Sequence, residues 1–176
     1  MSAAEVNKKA DESNLYIFRP YIQSDVNFVL SSWANSFYHA NKCNYIFQPE
    51  QFHSLGHRLI RDDFFKRPSV AVIICCSKEE PDLILGWIAI EETQETDNII
   101  LHYIYVKEAF KNEGIGKKLL ELVTKNKKEI HFTHFTDKAA KILSKAWKYS
   151  ELNKTRNKYA NYYYKPRLCR GVQENG

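Results

Sequence analysis

No apolar run in this 176-residue chain approaches the roughly 18 residues that a helix needs to cross a bilayer, so a helical membrane span is not expected. Met1 to Asn14 is rich in Lys, Glu, Asp, Asn and Ser and lacks the apolar centre of a signal peptide. A mobile leader in a protein of the cytoplasm is the expectation. The four cysteines, Cys43, Cys75, Cys76 and Cys169, show no metal-ligand spacing, which argues against a zinc module. Cys75 and Cys76 alternate across a strand pattern and read as buried free thiols. There is also no internal repeat and no interdomain linker. One folded domain over residues 15–168 is expected, between a leader at 1–14 and a flexible tail at 169–176, long enough to bury a sizeable core.

The charge is +5 and unevenly spread. Between Lys145 and Arg170 stand eight Lys or Arg against the single acid Glu151, with Trp147, Tyr149, Tyr159, Tyr162, Tyr163 and Tyr164 interleaved. Two readings fit: a contact surface for nucleic acid or another anion, or a strand hairpin with aromatics inward and charges in water.

Periodicity orders the rest. Leu15 to Arg19 reads as a first strand closing at Pro20. Ser24 offers an N-cap to a helix whose face is Val26, Val29, Leu30, Trp33 and Phe37, ending near Ala40. Pro49 opens a second helix with apolar face Phe52, Leu55, Leu59, Ile60 and Phe64, ended by Pro68. His53 and His57 lie four apart on that helix with no third metal ligand, which predicts a solvated pair or a substrate-rim contact. Val70–Cys76 and Leu83–Ile90 form an antiparallel hairpin, and a third long strand ends at Val106. A helix to about Asn126, a strand Ile130–Phe135, a helix from Asp137 through Trp147 and a last strand Lys158–Tyr164 complete the chain.

At the junction after Val106 the run Lys111-Asn112-Glu113-Gly114-Ile115-Gly116-Lys117 links strand to helix through two glycines one residue apart. Glycines there let main-chain N–H groups approach an anion, and the new helix points its positive end at the same place. The P-loop would need Gly at Lys111 and Ser or Thr at Lys118; the dinucleotide fingerprint would need Gly at Leu119. What remains resembles the acetyl-coenzyme A signature of the GNAT acetyltransferase superfamily, in which Gln or Arg usually stands where this chain has Lys111. The element order from about Tyr16 to Lys165 is similar to that family's. The segment Phe132 to Thr136 with Tyr163-Tyr164-Lys165-Pro166-Arg167 also looks like a subgroup met in bacteriophage genomes, whose setting would be a host cytoplasm.

The resemblance implies an α/β (α+β) GNAT fold, a mixed, mostly antiparallel central sheet flanked by helices. It implies an N-acetyltransferase that moves the acetyl group of acetyl-CoA to a primary amine by direct attack in a ternary complex. Tyr105, Val106, Lys111, Asn112, Glu113, Gly114, Ile115, Gly116 and Lys117 would hold coenzyme A, without a metal. The acceptor amine would belong to a small molecule, a peptide or a protein, and the protein would be a monomer or homodimer with no membrane association. His102, four residues before Val106, takes the offset of a base in arylalkylamine acetyltransferases, and an imidazole titrates near operating pH. Glu91 or Glu92, ending the preceding strand, offers a base acting through water. His134 is a second candidate, and structural roles for both histidines stay open. The family's Asn-x-x-Ala-x-x-x-Tyr helix reads Asp137-x-x-Ala140-x-x-x-Ser144 here. The usual acid is absent, and Tyr149, Tyr162 or Tyr163 would have to replace it. The alternative is a GNAT-fold protein of weak or no catalysis, binding CoA or nucleic acid through its basic, tyrosine-rich C-terminal region.

Overall fold

The computed structural model describes residues 15–40, 48–93, 98–125, 127–134 and, for the main chain alone, 161–164. Strand β1 is Tyr16–Pro20. A 3-10 turn, Gln23–Asp25, leads into helix α1, Val26–Ala40, and α2 is Pro49–Asp62, extended by a 3-10 turn at Phe64–Lys66. Then come β2, Val70–Ser77, β3, Ile84–Glu92, and β4, Asn98–Val106. After a 3-10 turn at Glu108–Phe110, helix α3 spans Ile115–Thr124, followed by β5, Glu129–Phe132, and β6, Asn161–Tyr164.

The six strands lie side by side in chain order. β1 through β4 pair antiparallel, while β4–β5 and β5–β6 are parallel, so the expected mixed, mostly antiparallel sheet is present. The last strand runs parallel to β5 rather than folding back on it, so the described part of the basic C-terminal stretch is not a hairpin with β5. The predicted helix from Asp137 lies outside the described residues.

β3 is buried along most of its length because both faces of the sheet are covered. Trp87 and Ala89 pack with Val29, Trp33, Phe64, Val72 and Tyr103 beneath the first two helices. Ile88 and Ile90 pack on the other face with Ile99, Ile115, Leu119 and Ile130. Cys75 and Cys76 divide between the two cores, both fully buried and both free thiols. Burial pushes the Cys75 thiol up to about 11, with the neighbouring Cys76 adding to the shift.

Two local expectations are corrected. Ser24 does not cap α1. The buried Asp25 carboxylate instead accepts the Ile22 N–H at 2.9 Å and both guanidinium nitrogens of Arg19 at 2.6 and 3.0 Å, which hold it below the usual carboxylate range. On α2, Leu55 and Leu59 are 46% and 56% exposed, not inward. The side turned to α1 carries Phe52, His53, Gly56, His57 and Ile60. Phe52 lies 5.2 Å from Tyr38 between ring centroids, and a Cβ on Gly56 would sit 3.7 Å from the Ala34 Cβ. His53 and His57 are therefore half-buried, with Nε2 atoms that have no hydrogen-bond partner among the described residues. Burial, with the charge of His53, lowers the pKa of His57.

Candidate functional site

The sequence that ends β4 and begins α3 builds a tight, partly left-handed connection. Asn112 has φ 73° and Gly114 φ 77°, a region L residues other than Asn and Asp avoid. A Cβ on Gly114 would meet no heavy atom within 4 Å, so the space over its main chain is open. The first bond inside α3 runs from the Lys118 N–H to the Gly114 carbonyl, leaving Ile115, Gly116 and Lys117 in the first turn, where N–H groups have no carbonyl one turn earlier. An anion set against Gly114 meets these donors and the positive end of the helix. Gly116 faces the strand it follows: a Cβ there would lie 3.5 Å from Val106 Cγ2.

The side chains around the turn were only partly foreseeable. Lys111 pairs with Glu108, and Lys117 lies 3.7 Å from Glu121. From the far edge of the sheet, the Tyr16 hydroxyl donates to Glu113 Oε2 at 2.6 Å, while the Lys118 ammonium sits 4.9 Å from the centre of the Tyr16 ring. Tyr16, which no spacing argument connects to the turn, thus ties it to β1.

The same end of β4 is where the sheet parts. β4 pairs with β5 only from Asn98↔Glu129 to Leu101↔Phe132, with one further bond from the Thr133 N–H to the Leu101 carbonyl at 3.2 Å. On its other side β4 stays paired with β3 as far as Gly86↔Val106. Among the described residues, His102 to Val106 run on with no β5 partner, leaving an open strand edge that carries Tyr105 and Val106 toward the glycine turn. A bulge coincides with the parting: Leu101 pairs with Ile90 and Tyr103 with Ala89, so His102 is the extra residue.

The bulge turns His102 into the protein. It is 1% exposed, its ring centre 4.6 Å from that of Phe64. Its Nε2 lies 3.0 Å from Glu91 Oε2 and its Nδ1 3.2 Å from Thr133 Oγ1. Thr133 Oγ1 is also 2.8 Å from Nδ1 of His134. The two histidines proposed from sequence are thus brought together, joined by a residue that was not singled out. Glu91 is held in turn by Ser69 Oγ at 2.9 Å and by Arg67 at 3.2 Å, and Arg67 pairs with Asp63 at 2.6 Å. Burial works against the Glu91 charge, but the bonds from His102 and Ser69 and the nearby Arg67 outweigh it and keep its pKa below the usual range.

For His102, burial outweighs the help of Glu91 and lowers its pKa, so the ring is neutral at pH 7. His134 stands where β5 leaves β4, partly exposed, among the rings of Phe37 at 4.7 Å, Trp33 at 5.6 Å and Tyr103 at 5.7 Å. Burial, with some repulsion from His102, pushes its pKa down to about 4, opposed by a bond to the His102 main chain. The Tyr103 hydroxyl is 3.0 Å from Ser36 Oγ. Tyr149 lies outside the described residues, as do Ser144 and the side chains of Tyr162 and Tyr163.

A family model described as the acetyltransferase (GNAT) family matches residues 32–143. The chain belongs to that family. Its fold is shared with solved structures of low identity. A candidate acetyltransferase from Pyrococcus furiosus is 15% identical at a TM-score of 0.58, covering 83% of this GNAT chain and 97% of its own. The PaiA N-acetyltransferase of Thermoplasma acidophilum, solved with coenzyme A, is 14% identical at 0.50, covering 74% and 87%. A transcriptional regulator from Bacillus halodurans is 12% identical at 0.50, covering 84% and 99%. No curated protein matches the chain in sequence. No helix among the described residues is long and apolar enough to cross a membrane.

Proposed function

We propose that this GNAT chain is an acetyl-CoA-dependent N-acetyltransferase in which a primary amine, bound beside the cosubstrate, attacks the acetyl group directly. The observation that carries the reading is the convergence of an open β4 edge, an open-faced Gly114 turn at a helix N-terminus and a neutral imidazole at one end of the sheet. Acetyl-CoA, when bound, supplies an acetyl group already activated as a thioester.

The residues of the chain supply the rest. Main-chain N–H groups of Glu113 to Lys117 hold the pyrophosphate, with Lys111 and Asn112 at the entrance to the turn. Main-chain groups of Tyr105 and Val106 align the pantetheine along the β4 edge, which converts a bimolecular encounter into an oriented one. His134, neutral at pH 7 and partly exposed among aromatic rings, takes the proton of the amine, with His102 behind it. Phe37, partly exposed with its ring 4.7 Å from that of His134, suits an acceptor that carries apolar or aromatic surface next to its amine. Tyr149 is the proposed acid for the departing thiolate.

The test is transfer of labelled acetyl groups from acetyl-CoA to a panel of aryl-, alkyl- and peptide amines, with coenzyme A binding measured in parallel by calorimetry. Acetylated amine from the wild type, abolished in Gly114→Glu together with coenzyme A binding, supports the proposal. Coenzyme A binding without any acetylated amine leaves a binding protein of this fold and refutes the enzyme.

A further inference from the structure

We propose that Thr133 is a proton-relay residue that joins His134, at the open edge, to a buried acceptor made of His102 and Glu91. The inference rests on the transferase reading for its chemistry, but its wiring follows from the hydrogen-bond geometry once Glu91 is ionised and both imidazoles are neutral. Glu91 is an ionised carboxylate and can only accept, so the His102 Nε2 facing it at 3.0 Å carries a hydrogen. In a neutral ring Nδ1 then holds a lone pair, and the Thr133 hydroxyl 3.2 Å away donates to it. A hydroxyl has one hydrogen. Thr133 Oγ1 must therefore accept from Nδ1–H of His134 at 2.8 Å, which puts the lone pair of His134 on Nε2. One carboxylate thus sets the tautomer of two imidazoles through a threonine.

The same chain can reverse its polarity. As the amine loses its proton to Nε2 of His134, Nδ1–H of His134 passes to Thr133 Oγ1 while the Thr133 hydrogen passes to Nδ1 of His102. One N–H bond of the substrate is broken and one net proton arrives on His102, which becomes an imidazolium against Glu91. The reverse transfer returns that proton to solvent. No oxidant or reductant is involved.

Burial opposes a positive charge on His102, but the charged groups facing the network are negative on balance. Among the described residues Asp63 and Glu91 pair with Arg67, so with both imidazoles neutral these three side chains carry one negative charge in excess. Ser69 holds the second Glu91 oxygen, while Phe64 over His102 and Trp33, Phe37 and Tyr103 around His134 bring no charge. Storage on His134 among those rings is unfavourable. Passing the proton inward removes that difficulty, which a base working alone would face.

Two measurements test the relay. Long-range ¹⁵N–¹H spectra of labelled full-length protein, assigned with His102→Asn and His134→Asn, report which ring nitrogens carry hydrogen whether or not the protein turns over. The expected result is Nε2–H on His102 and Nδ1–H on His134, the latter lost in Thr133→Val and kept in Thr133→Ser. A wild-type His134 with its hydrogen on Nε2 overturns the proposal. In the transfer assay, Thr133→Val should lower kcat on the order of 10²-fold and alter its pH profile. Its coenzyme A affinity should stay unchanged, and Thr133→Ser should restore the rate. A valine variant with the wild-type rate and profile also overturns it. A wild type that binds coenzyme A yet acetylates nothing removes the transferase reading, while the spectra still decide the hydrogen-bond wiring.

Discussion

Gly114 allows backbone shape and charge at the glycine turn to be separated. Asn and Asp are the residues other than glycine that best tolerate a left-handed backbone, and they differ by a charge at nearly constant shape. At φ 77°, with no heavy atom within 4 Å of the position a Cβ would take, both fit without a clash. Each variant should then cost about 1 kcal/mol of stability relative to glycine, or about 2–4 °C in Tm for a domain of this size. Their coenzyme A affinities should diverge. A carboxylate about 6 Å from a phosphate charge is repelled by about 0.7 kcal/mol in bulk water and about 3 kcal/mol at the effective dielectric of a protein surface. Gly114→Asp should therefore bind coenzyme A about 3- to 100-fold more weakly than Gly114→Asn, and the gap should narrow as salt rises. Calorimetric titration of both variants at low and high salt is the assay. Equal affinities at low salt would refute the placement of the pyrophosphate at this turn.

Three further outcomes follow from the packing. Asp25→Asn should cost about 1.5–3 kcal/mol, the worth of hydrogen bonds to a charged group, whereas Ser24→Ala should be nearly silent in thermal denaturation. Because the folded-state pKa of Asp25 lies below its unfolded value, its contribution is present above about pH 4 and is lost as pH falls through the folded pKa; a Tm–pH series in which Asp25→Asn flattens the acid limb checks this. Gly86→Ala should destabilise by about 1–3 kcal/mol, since its Cβ would lie 2.7 Å from the Tyr105 carbonyl oxygen on the paired strand, and a chemical-denaturation curve reads the loss directly. His134, held neutral down to about 4, should titrate well below an ordinary imidazole by NMR. Its sign is also that of lost stability as pH falls: between about 6.5 and the folded value the unfolded chain takes up a proton that the native one does not.

The strands β2 to β4 were legible because β-branched and aromatic runs bounded by polar turns leave few other choices. The glycine turn was legible because its residue types state its geometry. The inward face of α2 was legible only in part: Phe52 and Ile60 lie on it as expected, but His53, Gly56 and His57, whose letters do not spell an apolar stripe, complete it, while Leu55 and Leu59 face outward. Gly56 contributes by what it lacks, letting α1 approach at Ala34. The Ser24 cap was not found because the chain enters α1 through a 3-10 turn, where Asp25, held by Arg19 of the preceding strand, bonds back to the Ile22 N–H. For the site, the sequence indicated which residues have suitable chemistry but not how they connect. His102 turns inward because a bulge shifts the β3–β4 register, and β5 stops at Phe132 rather than the expected Phe135 because β4 diverges from it. Thr133 acquires its partners from that divergence, and no periodicity marks it.

Acetyl transfer to an amine at the open β4 edge is tested most directly by incubating the wild type with acetyl-labelled acetyl-CoA and the amine panel and measuring label in acid-stable amide. Labelled amide is expected on amines that carry apolar or aromatic surface, dependent on an intact Gly114. Tight coenzyme A binding with no amide formed on any amine would contradict it.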